Sequence, residues 1–374
     1  MFASQEILCR LIDREAPTPL IMFSVKLYKT AYGMAVTANH NPAFYNGVKI
    51  FTSGGRDADE TVTDSIEEYI RRGAGQSEII PVPFERGLAE GSIVLIHPEN
   101  DYIDSIIREI NMDAIRGRHL RVALDPMYGV SKTSLQTILL TARCDVDVIH
   151  ERRDTLFGGR LPAPNSETLG ALTEFVREND CDIGIATDGD ADRIGVVDNE
   201  ARFLHPNQIL VLLYYYLVKY KGLKGPAVRN IMTTHLLDRV CEDFGETCYE
   251  VPVGFKHISS KMSNVGALIG GESSGGLTVR GHIQGKDGIY AAALLVEMIA
   301  VTGKALSENY AEIVGRYGEI YTAELDSRFS EERKNAIVKL LIEEKKLPEF
   351  SLPVDRVAYL DGCKVYFKNG GLCM

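Results

Sequence analysis

The sequence has no run of clustered lysine and arginine, and its formal net charge is −11 over 374 residues. Phosphate backbones are gripped by such clusters, so this composition argues against a nucleic-acid partner. An anionic ligand would have to meet its positive charge locally, inside a cleft. No C-x-x-C pair occurs among the seven cysteines, and the closest pairs, Cys241 with Cys248 and Cys363 with Cys373, fit no zinc-ribbon spacing. A reducing, cytoplasmic setting is expected. The opening stretch Met1-Phe2-Ala3-Ser4-Gln5-Glu6-Ile7 carries an acid where a signal peptide carries basic residues. The most apolar stretch, Ile209 to Val218, is about half of the ~20 residues a membrane span needs, and it holds Tyr214, Tyr215 and Tyr216. It reads as a buried helix, with no membrane partner expected. Short-period repeats and low-complexity tracts are absent too.

What is present is the composition of a folded, multidomain chain: 45% apolar and 25% charged residues, with length enough for several cores. β-branched apolar runs alternate with helix-length amphipathic segments, which predicts α/β layers around mixed or mostly parallel sheets. Strands are expected at Arg121 to Leu124, Asp145 to Ile149, Ile183 to Ala186 and Ile194 to Val197, then at Val228 to Met232 and Ala267 to Ile269. A helix is expected from about Asp287 to Val301. The first block reads as a helix near Gln5 to Arg14, a Pro17-Thr18-Pro19 turn, and a strand through Met34-Ala35-Val36. The last block, from about Tyr317, reads as one long helix and a β pattern through Val365-Tyr366-Phe367.

The chemistry concentrates in Thr187-Asp188-Gly189-Asp190-Ala191-Asp192-Arg193. Three carboxylates spaced two apart between buried strands present hard oxygens on one side of a tight loop, a donor set that favours Mg²⁺ or Mn²⁺ over zinc. An EF-hand would need glycine and glutamate at the sixth and twelfth loop positions, where Arg193 and Asn199 stand. A haloacid-dehalogenase-type phosphatase also uses Asp-x-Asp after a strand, but its nucleophilic aspartate belongs near the chain start, where nothing matches. Gly270-Gly271-Glu272-Ser273-Ser274-Gly275-Gly276 is the second candidate. Its glycines admit close backbone approach, and a carboxylate with a hydroxyl two residues on can grip vicinal sugar hydroxyls; a plain glycine turn fits as well. Gly254-Phe255-Lys256-His257 offers a cation and an imidazole, or simply an exposed helix start. Gly281 to Gly288 reads mainly as a turn capped by Asp287.

Taken in order, these segments resemble the α-D-phosphohexomutase superfamily, which includes phosphoglucomutase and phosphomannomutase. Its Thr-Ala-Ser-His-Asn-Pro loop is matched by Thr37 to Pro42 except for Asn39 at the third position. Its Asp-Gly-Asp-Ala-Asp-Arg loop is matched by Asp188 to Arg193, and its Gly-Glu-x-Ser-Gly-Gly loop by Gly271 to Gly276; Tyr45-Asn46-Gly47-x-Lys49 and Gly254-Phe255-Lys256 fit as well. The resemblance implies four domains around a central cleft: 1–99, 100–200, 201–312 and 313–374, the first and last incomplete. The family's Gly-Thr-x-Gly-Ile-Arg-Gly and Ser-Gly-Thr-Glu-Pro segments have no counterpart in this sequence. It further implies a hexose phosphate substrate, Mg²⁺ on Asp188, Asp190 and Asp192, and a glucose 1,6-bisphosphate-type activator in a catalytic member. Asn39 would occupy the phosphoserine position. His40 and Lys49 would handle protons, Arg193 would neutralise the moving phosphoryl group, and Lys256, His257, Gly271, Glu272 and Ser274 would contact substrate. A phosphohexomutase enzyme, a non-catalytic phosphosugar-binding protein and a sugar phosphatase are the three functions to be separated.

Overall fold

The computed structural model describes residues 2–73, 80–323, 325, 327, 329–368 and 370–373. Met1 and Met374, at the two ends read above, lie outside them. The chain forms α/β layers. Its central element is a five-stranded mixed sheet in the spatial order Phe203–Leu204, Ile194–Val197, Ile183–Thr187, Arg121–Asp125, Asp145–Val148. The last three strands run parallel, whereas Ile183–Thr187 turns straight back into Ile194–Val197 as an antiparallel hairpin. Side-chain alternation splits two cores across this sheet. Val122 and Leu124 enter the large core with Leu135 and Ile138, while Ala123 packs with Leu172 and Val176 on the other face. Because both faces are covered, Ile183–Thr187 is buried at every position.

A four-stranded sheet follows, ordered Cys248–Val251, Ala227–Asn230, Ile269–Gly271, Leu277–Val279. Between the two sheets lie the helices Pro206–Lys219 and Gly288–Thr302. The second is apolar on every face except for Glu297, which is buried and paired with Lys221, as befits a helix with almost no solvent face. Tyr214, Tyr215 and Tyr216 are buried within the first. No single described helix is long and apolar enough to cross a membrane. The first block holds a parallel pair, Cys9–Ile12 with Ile93–Ile96, and an antiparallel sheet of Tyr32–Thr37, Gly47–Thr52 and Arg56–Asp57. The last block is a three-stranded antiparallel sheet of Val354–Ala358, Lys364–Phe367 and Gly370–Cys373. All seven cysteines are free.

Three local expectations are corrected. The stretch Gln5 to Arg14 is not a helix: a single 3₁₀ turn, Phe2–Gln5, precedes the strand Cys9–Ile12. Ile7, Leu8, Leu11 and Ile12 have helical spacing, but pairing with Ile93–Ile96 decides the outcome. Pro17-Thr18-Pro19 is no free turn; it opens the helix Thr18–Leu27, since proline in a first helical turn forfeits no internal hydrogen bond. The late helix runs only from Glu331 to Val338 before passing into a π-helical turn, Lys339–Glu343.

Candidate functional site

The hairpin between Ile183–Thr187 and Ile194–Val197 closes over Asp188 to Arg193, with Thr187 directly opposite Ile194. The turn is tight enough to hold Ala191 at φ 62°. It brings Asp188, Asp190 and Asp192 together so that one oxygen of each lies within 4.8 Å of the others. All three are buried, at 0, 5 and 1% exposure. Gly189 is held against the loop that carries Asn39: a Cβ there would lie 2.9 Å from the Asn39 carbonyl oxygen.

Each carboxylate has one oxygen hydrogen-bonded by the protein and one without a hydrogen bond, although Asp188 Oδ2 and Asp192 Oδ1 each lie 3.9 Å from Arg193 Nε. Asp188 Oδ1 accepts from the Arg193 backbone N–H at 3.0 Å. Asp190 Oδ2 accepts from Thr18 Oγ1 and Lys49 Nζ, both at 2.7 Å. Asp192 Oδ2 accepts from Lys49 Nζ at 2.7 Å and lies 3.1 Å from Lys286 Nζ. Asp188 Oδ2, Asp190 Oδ1 and Asp192 Oδ1 are buried with no hydrogen-bond partner, as are Asn39 Oδ1, His40 Nδ1 and Arg193 Nε. Orphaned buried oxygens are costly, so three in one cluster with a fourth on the abutting loop fit a hard cation.

The electrostatics follow from the crowding. Burial, reinforced by Asp192 and Asp190, pushes the Asp188 carboxyl well above its ordinary range. Burial acts the same way on Asp192, but Lys286, Lys49 and Arg193 outweigh it and hold that carboxyl below its usual value. Lys49 is raised: burial opposes its charge and the two aspartates more than compensate. His40 is pushed down to about 4 by burial and by the cations Arg193 and Lys286, so it is a neutral imidazole at physiological pH. Asp57 faces the same group and is raised by burial.

The glycine-rich loop is stitched to the acidic hairpin. Arg193 bridges to Gly276, and the Ile194 N–H donates to the Gly275 carbonyl at 3.1 Å. Gly275, at φ 94°, leaves room for no side chain, since a Cβ would sit 2.7 Å from the Ile194 carbonyl oxygen. Glu272 is buried, its Oε1 accepting from the Gly254 N–H at 3.2 Å and approached by Asn230 Nδ2 at 3.5 Å. Ser274 is exposed, and Gly271 ends the strand Ile269–Gly271. Lys286 crosses over Gly276 to reach Asp192. Lys256 and His257 instead meet Glu60, at 2.7 and 3.9 Å.

The structure thus gathers Asp188, Asp190, Asp192, Arg193, Lys49, His40 and Asn39 at one place, and turns Lys256 and His257 toward Glu60. It adds two residues that sequence reasoning passed over. Lys286 lies in the segment read mainly as a turn, whose Asp287 does cap the following helix by accepting from Ile289 and Tyr290 N–H at 2.9 Å. A cation fixed one residue before a capped helix was the available signal. Thr18, hidden in the Pro-Thr-Pro stretch, gave none.

Three family models match, each described as a phosphoglucomutase/phosphomannomutase α/β/α domain: domain I over residues 1–76, domain II over 100–201 and domain III over 205–317. A Thermococcus kodakarensis protein described as phosphoglucomutase/phosphomannomutase is 28% identical over 370 residues, covering 97% of this chain and 76% of that relative. A Pyrococcus horikoshii protein described as a probable phosphoglucosamine mutase is 31% identical over 352 residues, covering 94 and 73%. Two further phosphoglucosamine mutase relatives are spanned over only 63% of their own length. Among solved structures, one described as a putative phosphomannomutase from Thermus thermophilus superposes with a TM-score of 0.84 at 29% identity, covering 99% of this chain and 78% of that one.

Proposed function

The chain belongs to the phosphoglucomutase/phosphomannomutase family of α-D-phosphohexomutases, and from that premise we propose that its cleft binds Mg²⁺ and a hexose phosphate for phosphoryl transfer on the sugar, with Asn39 holding turnover low. The observation that carries this reading is the cluster of buried oxygens without a hydrogen bond on Asp188, Asp190 and Asp192, ringed by Lys49, Lys286 and Arg193. Asp188 Oδ2, Asp190 Oδ1, Asp192 Oδ1 and Asn39 Oδ1 are the oxygens that would hold the metal, whose chemistry is to neutralise and orient phosphoryl oxygens. Lys49, Lys286 and Arg193 supply further positive charge where a phosphate arrives, and such fixed charge is worth most in a buried site. His40, neutral, can accept a proton from a sugar hydroxyl. Glu272 and Ser274 grip sugar hydroxyls, and Lys256 with His257, once released from Glu60, meets the phosphate remote from the metal.

Asn39 favours a second reading beside this one. An amide has no hydroxyl to phosphorylate, so the covalent step of a mutase lacks its carrier at this position. Binding of phosphosugar without turnover is the corresponding function. A coupled assay from glucose 1-phosphate to glucose 6-phosphate, with Mg²⁺ and catalytic glucose 1,6-bisphosphate, is paired with calorimetric titration of a hexose 1-phosphate and the parent hexose. The expected result is clear preference for the phosphorylated sugar and turnover near background. Robust turnover would show that another group carries the phosphoryl, release of inorganic phosphate would point to a phosphatase, and equal affinity for sugar and sugar phosphate would overturn the reading altogether.

A further inference from the structure

Asp190 is held by two bonds from one helix residue of the first block, 172 positions earlier in the chain. Thr18 Oγ1 donates to Asp190 Oδ2 at 2.7 Å, and the Thr18 backbone N–H donates to the Asp190 carbonyl oxygen at 2.9 Å. Thr18 is 2% exposed and is the first residue of the helix Thr18–Leu27, whose Leu20, Met22 and Val25 are buried. The positive end of that helix therefore points at the acidic loop.

A carboxyl group turns easily about its terminal torsion, which has broad, roughly two-fold minima. Something must decide which oxygen faces the cluster. Lys49 also touches Asp190 Oδ2, but its ammonium is shared with Asp192 and rides on a flexible stem. The Thr18 hydroxyl sits on a stiff β-branched side chain in a packed helical turn. It is the fixed point, and it leaves Oδ1 as the buried oxygen without a partner.

We propose that Thr18 is a positioning residue for the cation site, its hydroxyl locking Asp190 with Oδ1 turned to the metal and tying the helix Thr18–Leu27 to the acidic loop. The inference rests on the reading of Asp188, Asp190 and Asp192 as metal ligands. Hydrogen-bonded partners of ligating carboxylates commonly control affinity by about 10- to 100-fold. Thr18→Val keeps the shape and the backbone bond but deletes the hydroxyl.

The test is calorimetric titration of Mn²⁺ into the unmodified chain, Thr18→Val and Thr18→Ser, with melting curves and circular dichroism on each. Thr18→Val should weaken Mn²⁺ binding about 10-fold or more, and Thr18→Ser, which restores a hydroxyl, should recover most of the loss. A packing role alone predicts the opposite ranking, because valine fills the site better than serine. Thr18→Ala replaces the valine variant if that one fails to fold. A folded hydroxyl-less variant that binds Mn²⁺ as tightly as the unmodified chain overturns the inference and leaves the metal reading intact. An unmodified chain that binds no Mn²⁺ at millimolar concentration overturns both.

Discussion

Asn39 is the residue on which the chemistry turns. It takes φ 57°, a left-handed conformation that asparagine tolerates better than most side chains, and its N–H is fixed by Thr37 Oγ1 at 2.8 Å. The Asn39 backbone is thus fixed, while its side-chain Oδ1 is buried without a hydrogen-bond partner. Replacing it by serine installs a hydroxyl beside Lys49, Lys286, Arg193 and the acidic cluster. We expect Asn39→Ser to become phosphorylated on incubation with glucose 1,6-bisphosphate and Mg²⁺, gaining the mass of one phosphoryl group, while the parent chain keeps its original mass. Equal labelling of both proteins would place the acceptor elsewhere. At this scale the three aspartates were legible because their spacing in one short loop is itself the geometry. Thr18 was not, because the bonds that bring it in cross from another part of the chain and leave no local pattern, and Lys286 showed only as a cation one residue before the Asp287 helix cap.

Between elements, the last sheet is fastened to the four-stranded one by buried charge. Glu250, on the edge strand Cys248–Val251, accepts from Arg229 and Lys364, both at 2.6 Å, and from the Tyr366 hydroxyl at 2.9 Å. Arg229 is 1% exposed and Lys364 5% exposed, and Arg229 also grips Asp238 with two nitrogens, at 2.7 and 2.9 Å. Burial would raise the Glu250 carboxyl, but the bonds from Lys364 and Arg229 outweigh it and bring it from 4.5 down to about 2. A carboxyl depressed in the folded state binds its proton more readily unfolded. Its contribution is therefore complete above about pH 5 and is lost as the pH falls towards about 2. Glu250→Gln should cost on the order of 1–3 kcal/mol at neutral pH in denaturant titrations, since Arg229 and Lys364 each lose a charged partner while keeping Asp238 and the Ile231 carbonyl. The gap between the two proteins should close on acidification through that window; a gap independent of pH would remove Glu250 from the account. Nothing in the sequence advertised this latch. Strand identity was readable at Arg121–Asp125 or Ile194–Val197, where both faces are apolar, but not at Cys9–Ile12, where pairing with Ile93–Ile96 overrode a helical spacing.

Across the whole molecule, two kinds of junction differ in what a ligand can do to them. The acidic hairpin is contacted from the first block by Thr18 and Lys49 and from the glycine-rich side by Lys286 and Gly275. Metal and phosphosugar bound there would add bonds to the hairpin and to groups from both of these directions. The last sheet reaches the four-stranded one through Glu250, and through Asp361, which accepts from the Val253 N–H at 2.8 Å; neither group bonds to the acidic cluster. Ligands stabilise the parts that form their site, by about 2.7 kcal/mol at one hundred times the dissociation constant, and locally opening segments gain protection only where the bound state opposes their opening. Mg²⁺ with a hexose 1-phosphate should therefore slow amide hydrogen exchange in Thr18–Leu27, Gly47–Thr52 and the first turns of Gly288–Thr302. Exchange in Val354–Ala358 and Lys364–Phe367 should change little, because their latch is already complete without ligand. Exchange mass spectrometry with and without ligand reads this directly. Protection spread evenly over every strand would mean that the chain closes as one unit, and that the buried charges at Glu250 transmit ligand binding instead of merely holding the last sheet in place.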